Sequence, residues 1–223
     1  MASTDSRALR LAVIRAAREM NALGINRGTS GNVSVRIDTG FLVTPSALPY
    51  AETAPEDIVA VDRDGDAQGR RPPSSEWRFH RDIYAARPEA MAIVHTHSTF
   101  ATTLACLDRG IPAFHYMVAV AGGSDIRCAP YATFGTQELS DHAVRALEGR
   151  KACLLARHGM IALGDSLAQS LALAVEVEAL AEMYWHALQI GEPRVLDENE
   201  MREVLAKFAV YKPTLDAGGN RAS

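Results

Sequence analysis

Apolar residues recur at helical spacing over residues 6–23, at Leu9, Val13, Ala16, Ala17 and Met20, and Gly24 follows as a C-terminal stop. The period then changes. Val33-Ser34-Val35-Arg36-Ile37 alternates as a half-buried strand does. Asp38-Thr39-Gly40 reads as a hairpin turn, Phe41-Leu42-Val43-Thr44 returns, and Pro45 and Pro49 close the unit. Further short strands are expected over residues 57–61, 90–97, 111–115, 126–129 and 152–156. Residues 62–71 are polar and turn-like. Ser74-Ser75-Glu76 opens a helix that runs to about Arg87, where Pro88 blocks continuation. Other helices are expected over 98–107, 136–147 with Thr136 as cap, 166–189 and 197–207.

Helices and strands are mixed throughout, with an early hairpin and no internal repeat. The expected fold class is α/β, a single domain over residues 1–223 with a mixed or largely antiparallel sheet covered by helices. The small, polar tail from about residue 213 is expected to fray. No G-x-G-x-x-G segment supports a parallel dinucleotide-binding sheet.

Composition narrows the function classes. Hydrophobic residues make up 48% of the 223 and charged residues 22%, an ordinary globular balance. A net charge of −4 without a dense Lys/Arg patch argues against nucleic acid as partner. The first ten residues carry no signal-peptide core, and the apolar run 167–175, followed by Glu176 and Glu178, falls short of the roughly 20 residues that span a bilayer. A cytoplasmic protein without a membrane partner is expected. Cys106, Cys128 and Cys153 are far apart and form no C-x-x-C pair, so they read as reduced core thiols.

His95-Thr96-His97 ends the strand expected over 90–97. Side chains two apart on a strand share a face, so both imidazoles can grip one cation; a hydrogen-bonded strand-end pair is the alternative. His158 follows another buried strand and precedes Gly159, which permits close approach. Three neutral nitrogens suit Zn²⁺ with a fourth place for carboxylate, water or substrate. His80, His115, His142 and His186 read mainly as surface or helix residues. Gly28-Thr29-Ser30-Gly31-Asn32 is either a tight turn or a cradle of N–H and hydroxyl donors for an anion. Ser74 and Ser75, at an expected helix N-terminus, either cap it or hold an anion. Glu76, a potential metal ligand, follows directly.

The segments GTSGNVSVR, PSSEWRFH, IVHTHS, IPAFHYM, CAPYATFGT and RHG occur in that order. Together, from about residue 7 to Tyr211, they resemble the class II aldolase/adducin-like family, and among its branches most resemble the fuculose-phosphate aldolases. The resemblance implies an α/β/α sandwich around a mostly antiparallel sheet. It also implies a homotetramer with active sites between subunits. It assigns zinc, with Mn²⁺ or Co²⁺ as substitutes, to His95, His97, His158 and Glu76, and acid/base work to Glu76. Phosphate would lie on Thr29, Gly31, Asn32, Ser74 and Ser75, and on Ser46 and Ala47, where the fuculose branch has Thr-Gly. Tyr116 would reach across the interface to the aldehyde half, with Phe134, Phe208 and Tyr211 enclosing it.

The implied reaction is reversible cleavage of a ketose 1-phosphate to dihydroxyacetone phosphate and an aldehyde. The substrate would be of the L-fuculose, 5-deoxyribulose or 5-methylthioribulose 1-phosphate type. Only Lys151, Lys207 and Lys212 are present, none in a candidate site, so a metal rather than an amine is the expected electron sink. An L-ribulose-5-phosphate 4-epimerase shares the zinc site but carries an acid/base aspartate where this chain reads IPAFHYM. A non-catalytic adducin-head-like scaffold would not need all three histidines, Glu76 and Tyr116.

Overall fold

The computed structural model describes residues 4–210. Helix α1 (Arg7–Ala22) starts where the Ser6 side chain accepts from the Leu9 N–H, and it ends before Gly24, whose φ of +75° lies in the left-handed region. Strands β1 (Asn32–Ile37) and β2 (Gly40–Val43) form the expected hairpin, with Ile37 opposite Gly40. Gly40 is required by space, because a Cβ there would stand 2.1 Å from the Val61 carbonyl oxygen. The chain continues through β3 (Val59–Asp62), β4 (Ala67–Gln68), α2 (Trp77–Ala86), β5 (Ala92–Thr96) and α3 (Thr99–Ala105). It ends with β6 (Arg127–Ala129), α4 (Gln137–Ala146), β7 (Ala152–Leu155), β8 (Gly159–Gly164), α5 (Leu167–Ile190) and α6 (Glu198–Val210).

The eight strands make one sheet in the order β4-β3-β2-β1-β5-β8-β7-β6. Every pairing is antiparallel except β6 with β7. Pleating sends alternate residues to two faces. On β5, Val94 joins the cluster built with α1, α3 and α5, while Ile93 joins the cluster built with α2 and α4. The result is the expected α/β/α sandwich. Buried apolar residues on both faces supply its main driving force.

Several elements differ from expectation. The sheet's centre contains a strand that the sequence reading lacks: β8, between β5 and β7. All six of its residues are buried, so Gly-Met-Ile-Ala-Leu-Gly shows no alternation to mark it. β4 lies inside the stretch read as turn, in a hairpin held by Asp62 Oδ1, which accepts from the N–H groups of Asp64, Gly65 and Asp66. The strand expected at 57 starts at Val59, after a 3₁₀ turn over Pro55–Asp57. The strand expected over 111–115 reduces to one bridge, Ile111 with Ile126. Pro112 removes a donor there, and Tyr116–Ala121 then coils into a 3₁₀ helix.

All three cysteines are free, but Cys106 is exposed rather than core. No described helix is long and apolar enough to cross a membrane.

Candidate active site and metal centre

Three histidines converge because two strand ends meet. His95 and His97 leave the end of β5 on the α2 side, with their Nε2 atoms 3.0 Å apart. The link from β7 to β8 is a tight turn, with Arg157 at φ +56° and the His158 N–H donating to the Leu155 carbonyl. Since β8 pairs with β5, that turn delivers His158 beside the other two, and the three ring centroids stand 4.8–4.9 Å apart. Gly159 makes the approach possible. A Cβ there would lie 2.3 Å from the Thr96 carbonyl oxygen, 3.0 Å from His97 Cδ2 and 3.3 Å from His95 Cε1.

Glu76 enters from the start of α2. It is the N-cap residue of α2, yet its side chain caps nothing; it turns inward and is buried. Oε2 accepts from Asn32 Nδ2 at 2.9 Å and lies 3.2 Å from His95 Nε2. Oε1 lies 3.0 Å from His158 Nε2 but has no hydrogen-bond partner. One donor atom from each of Glu76, His95, His97 and His158 falls within 4.8 Å of all the others.

The electrostatics favour a cation. His95 Nδ1 is 2.9 Å from the Met160 carbonyl, which can only accept, so Nδ1 carries the proton. A neutral His95 therefore turns a bare lone pair at Nε2 toward Glu76 and His97. Burial, with repulsion from His95 and His158, lowers the His97 pKa from 6.5 to about 3, keeping it neutral and able to ligate. Burial alone raises the Glu76 carboxyl pKa. The adjacent His95 and His158 imidazoles outweigh that and hold it well below the usual carboxylate range. Three imidazoles, an ionised carboxylate and an orphaned buried oxygen are a donor set that fits a divalent cation.

The cluster opens into a cleft of about 380 Å³, within the range of small-ligand sites. Of the expected phosphate residues, Thr29, Ser46, Ala47 and Ser75 line it. Gly31, Asn32 and Ser74 lie behind this lining. The Tyr50 hydroxyl donates to the Gly31 carbonyl, and Ser74 Oγ accepts from the Glu76 N–H at 3.3 Å. The N-cap role expected of Ser74 and Ser75 belongs to Glu76 by position, because the helix starts at Trp77. Ala47 adopts φ +56°, a conformation natural to glycine and strained for alanine.

Phe134 lines the cleft, whereas Tyr116 and Phe208 do not. These two stack on each other at 6.5 Å, packed where α6 meets the 3₁₀ helix, and Tyr116 is half exposed. Within one chain they do not meet the cluster. Tyr211 and the tail lie outside the described residues.

Ser30 of the candidate anion loop also lines the cleft, as do Tyr131, Ala132 and Arg157, which sequence reading missed. Tyr131 and Ala132 sit inside CAPYATFGT and Arg157 inside RHG, and those placements were the available signal. His80 is one of the histidines read as surface or helix residues. That residue is on a helix, but it is fully buried, between Phe41 and Phe79.

The pattern of the class II aldolase and adducin N-terminal domain family matches residues 11–185. A 5-methylthioribulose-1-phosphate/5-deoxyribulose-1-phosphate aldolase of Rhodospirillum rubrum is 61% identical over 92% of each chain. An L-fuculose phosphate aldolase of Escherichia coli is 50% identical over 89% of this chain and 93% of its own. A solved L-fuculose 1-phosphate aldolase superposes with a TM-score of 0.89 at 41% identity, covering 92% of this chain and 98% of the other.

Proposed function

The chain belongs to the class II aldolase and adducin family, and we propose that it is a metal-dependent aldolase that reversibly cleaves a ketose 1-phosphate to dihydroxyacetone phosphate and an aldehyde. The observation that carries this is the convergence of Glu76, His95, His97 and His158 beside a cleft lined by the hydroxyl residues Thr29, Ser30, Ser46 and Ser75. Zinc suits the donor set, with Mn²⁺ or Co²⁺ as substitutes. When bound, the cation supplies Lewis-acid stabilisation of the charge left on the ketose fragment when C3–C4 breaks.

The protein's own groups account for the rest. Thr29, Ser46, Ala47 and Ser75, backed by Gly31, Asn32 and Ser74, bind the phosphate. The N-terminal end of the α2 dipole adds to their pull on the anion. Glu76 moves a proton at C3; its buried position beside the cation site puts it within reach of that carbon. Tyr116 of a neighbouring subunit takes and returns the proton of the C4 hydroxyl. A cytoplasmic homotetramer supplies that neighbour, in keeping with the distance between Tyr116 and the cleft of its own chain. Phe134, with Phe208 of the neighbouring subunit, encloses the aldehyde.

Ala132 and Phe134 give the cleft an apolar stretch of wall, and the Rhodospirillum relative is named for substrates that lack a hydroxyl at C5. The substrate read here is accordingly 5-deoxyribulose 1-phosphate or its 5-methylthio counterpart, ahead of L-fuculose 1-phosphate. The test offers the three ketose 1-phosphates to the metal-loaded enzyme and follows dihydroxyacetone phosphate. Higher kcat/KM on the two 5-deoxy substrates is expected, and a preference for fuculose 1-phosphate would overturn this order. Glu76→Gln should fold and lose most turnover; full activity would remove Glu76 from the reaction.

A further inference from the structure

Behind Glu76 lies a chain of buried polar side chains, of which the reaction above uses only Asn32. Asn32 Nδ2 donates to Glu76 Oε2 at 2.9 Å. His80 Nε2 is 2.5 Å from Asn32 Oδ1, His80 Nδ1 is 2.7 Å from Ser34 Oγ, and Ser34 Oγ is 2.8 Å from the Tyr84 hydroxyl. Asn32, Ser34, His80 and Tyr84 are each at most 5% exposed. Ser34 and Asn32 are alternate residues of β1, and His80 and Tyr84 are one turn apart on α2, so strand and helix periodicities align the four groups.

Only one proton arrangement satisfies every member. An ionised Glu76 can only accept, so Asn32 must present its NH₂ to it. Its carbonyl oxygen then faces His80, which must carry its proton on Nε2. Nδ1 is left as an acceptor, filled by the Ser34 hydroxyl proton, and the Ser34 oxygen accepts from Tyr84. Each bond thus donates toward the carboxylate. Burial lowers the His80 pKa from 6.5 to about 3, so the ring stays neutral as this arrangement requires. Phe41 and Phe79 hold the ring in place.

We propose that His80 is a positioning residue for Glu76. Backed by Ser34 and Tyr84, it fixes the Asn32 amide so that its N–H, never its carbonyl, faces the carboxylate. The proposal rests on the aldolase reading only for its effect on turnover; its proton arrangement stands on geometry.

The test has two parts. In the metal-loaded wild-type protein, ¹⁵N spectra of labelled histidine should show His80 with a protonated Nε2 and a bare Nδ1 from pH 8 to 5. A protonated Nδ1 would force the Asn32 amide to the opposite orientation and overturn the proposal, whether or not any variant folds. In activity, His80→Phe should lower kcat about 10- to 100-fold, as loss of partners behind a metal site generally does. KM for the ketose phosphate should change little, and His80→Gln, which keeps a donor, should recover part of the loss. A folded His80→Phe with wild-type kcat, or a His80→Gln no better than Phe, would overturn it. If the wild type cleaves no ketose 1-phosphate, the aldolase reading fails, while the nitrogen spectra still judge the relay.

Discussion

Substituting Gly159 with alanine separates the geometry of this site from its chemistry. The new Cβ would stand 2.3 Å from the Thr96 carbonyl oxygen, where ordinary C···O contacts begin near roughly 3.3 Å. Neither side yields easily, because Thr96 and Met160 are paired in the β5–β8 ladder at the middle of the sheet. A shift of about 1 Å in β8 or the preceding turn is the relief available, and that turn carries His158. Overpacking of this kind costs about 1–3 kcal/mol, or roughly 2–4 °C in Tm per kcal/mol for a chain of this size. The larger effect is on the site, since a displacement of about 1 Å at reacting groups can cost on the order of 100-fold in rate. Thermal unfolding, calorimetric titration with zinc and steady-state turnover should therefore show a modest Tm loss, a large loss of metal affinity and a large fall in kcat. Gly24→Ala is the control. It too strains the backbone, at φ +75°, but meets nothing within 4 Å, so about 1 kcal/mol of stability should go while metal affinity and kcat stay. Metal affinity and kcat of Gly159→Ala within twofold of wild type would refute the claim that this glycine seats the three histidines.

Ala47→Gly should raise stability by up to about 1 kcal/mol, because the left-handed backbone at Ala47 suits glycine; a denaturant midpoint that falls would contradict the strain argument. Tyr50→Phe leaves the Gly31 carbonyl without its donor, so about 1–3 kcal/mol of stability should be lost. Its KM for the sugar phosphate should rise more than kcat falls, and a variant affected only in kcat would separate Tyr50 from the phosphate loop. The His80 pKa is lowered from 6.5 to about 3 in the fold, so below pH 6.5 the unfolded chain binds a proton that the folded chain does not. The stability from keeping His80 neutral is complete above pH 6.5 and falls by about 1.4 kcal/mol per unit as pH drops toward 3. Denaturation midpoints between pH 7 and 4.5 should decline less steeply for His80→Gln, and parallel profiles would contradict the assignment.

Elements whose chemistry is local were legible in the sequence. The apolar spacing over residues 6–23, Gly24 and the Asp38-Thr39-Gly40 turn carry their own signals, and α1 and the first hairpin lie where those signals put them. The spacing of His95 and His97 foretold a shared face because strand periodicity alone determines it. Strand β8 was not legible: it is buried on both faces, so it lost the alternation that marks a strand, and only its pairing with β5 and β7 defines it. The same pairing brings His158 to the other histidines, so the triad's closeness depended on a strand that could not be read. Asn32, Ser34, His80 and Tyr84 lie far apart along the chain from one another's partners, and their linkage emerges only when β1 lies against α2. Tyr116 stands for a third limit, since its proposed place in the reaction depends on a neighbouring subunit.

The central claim is that the four-residue cluster makes this chain a metal-dependent aldolase, and metal removal and return tests it most directly. The protein is dialysed against a chelator, confirmed metal-free and folded, and offered 5-deoxyribulose 1-phosphate before and after one equivalent of zinc per chain. Release of dihydroxyacetone phosphate should be abolished in the stripped protein and restored by the metal. Undiminished release from the stripped protein, or none from the reloaded one, would contradict the account.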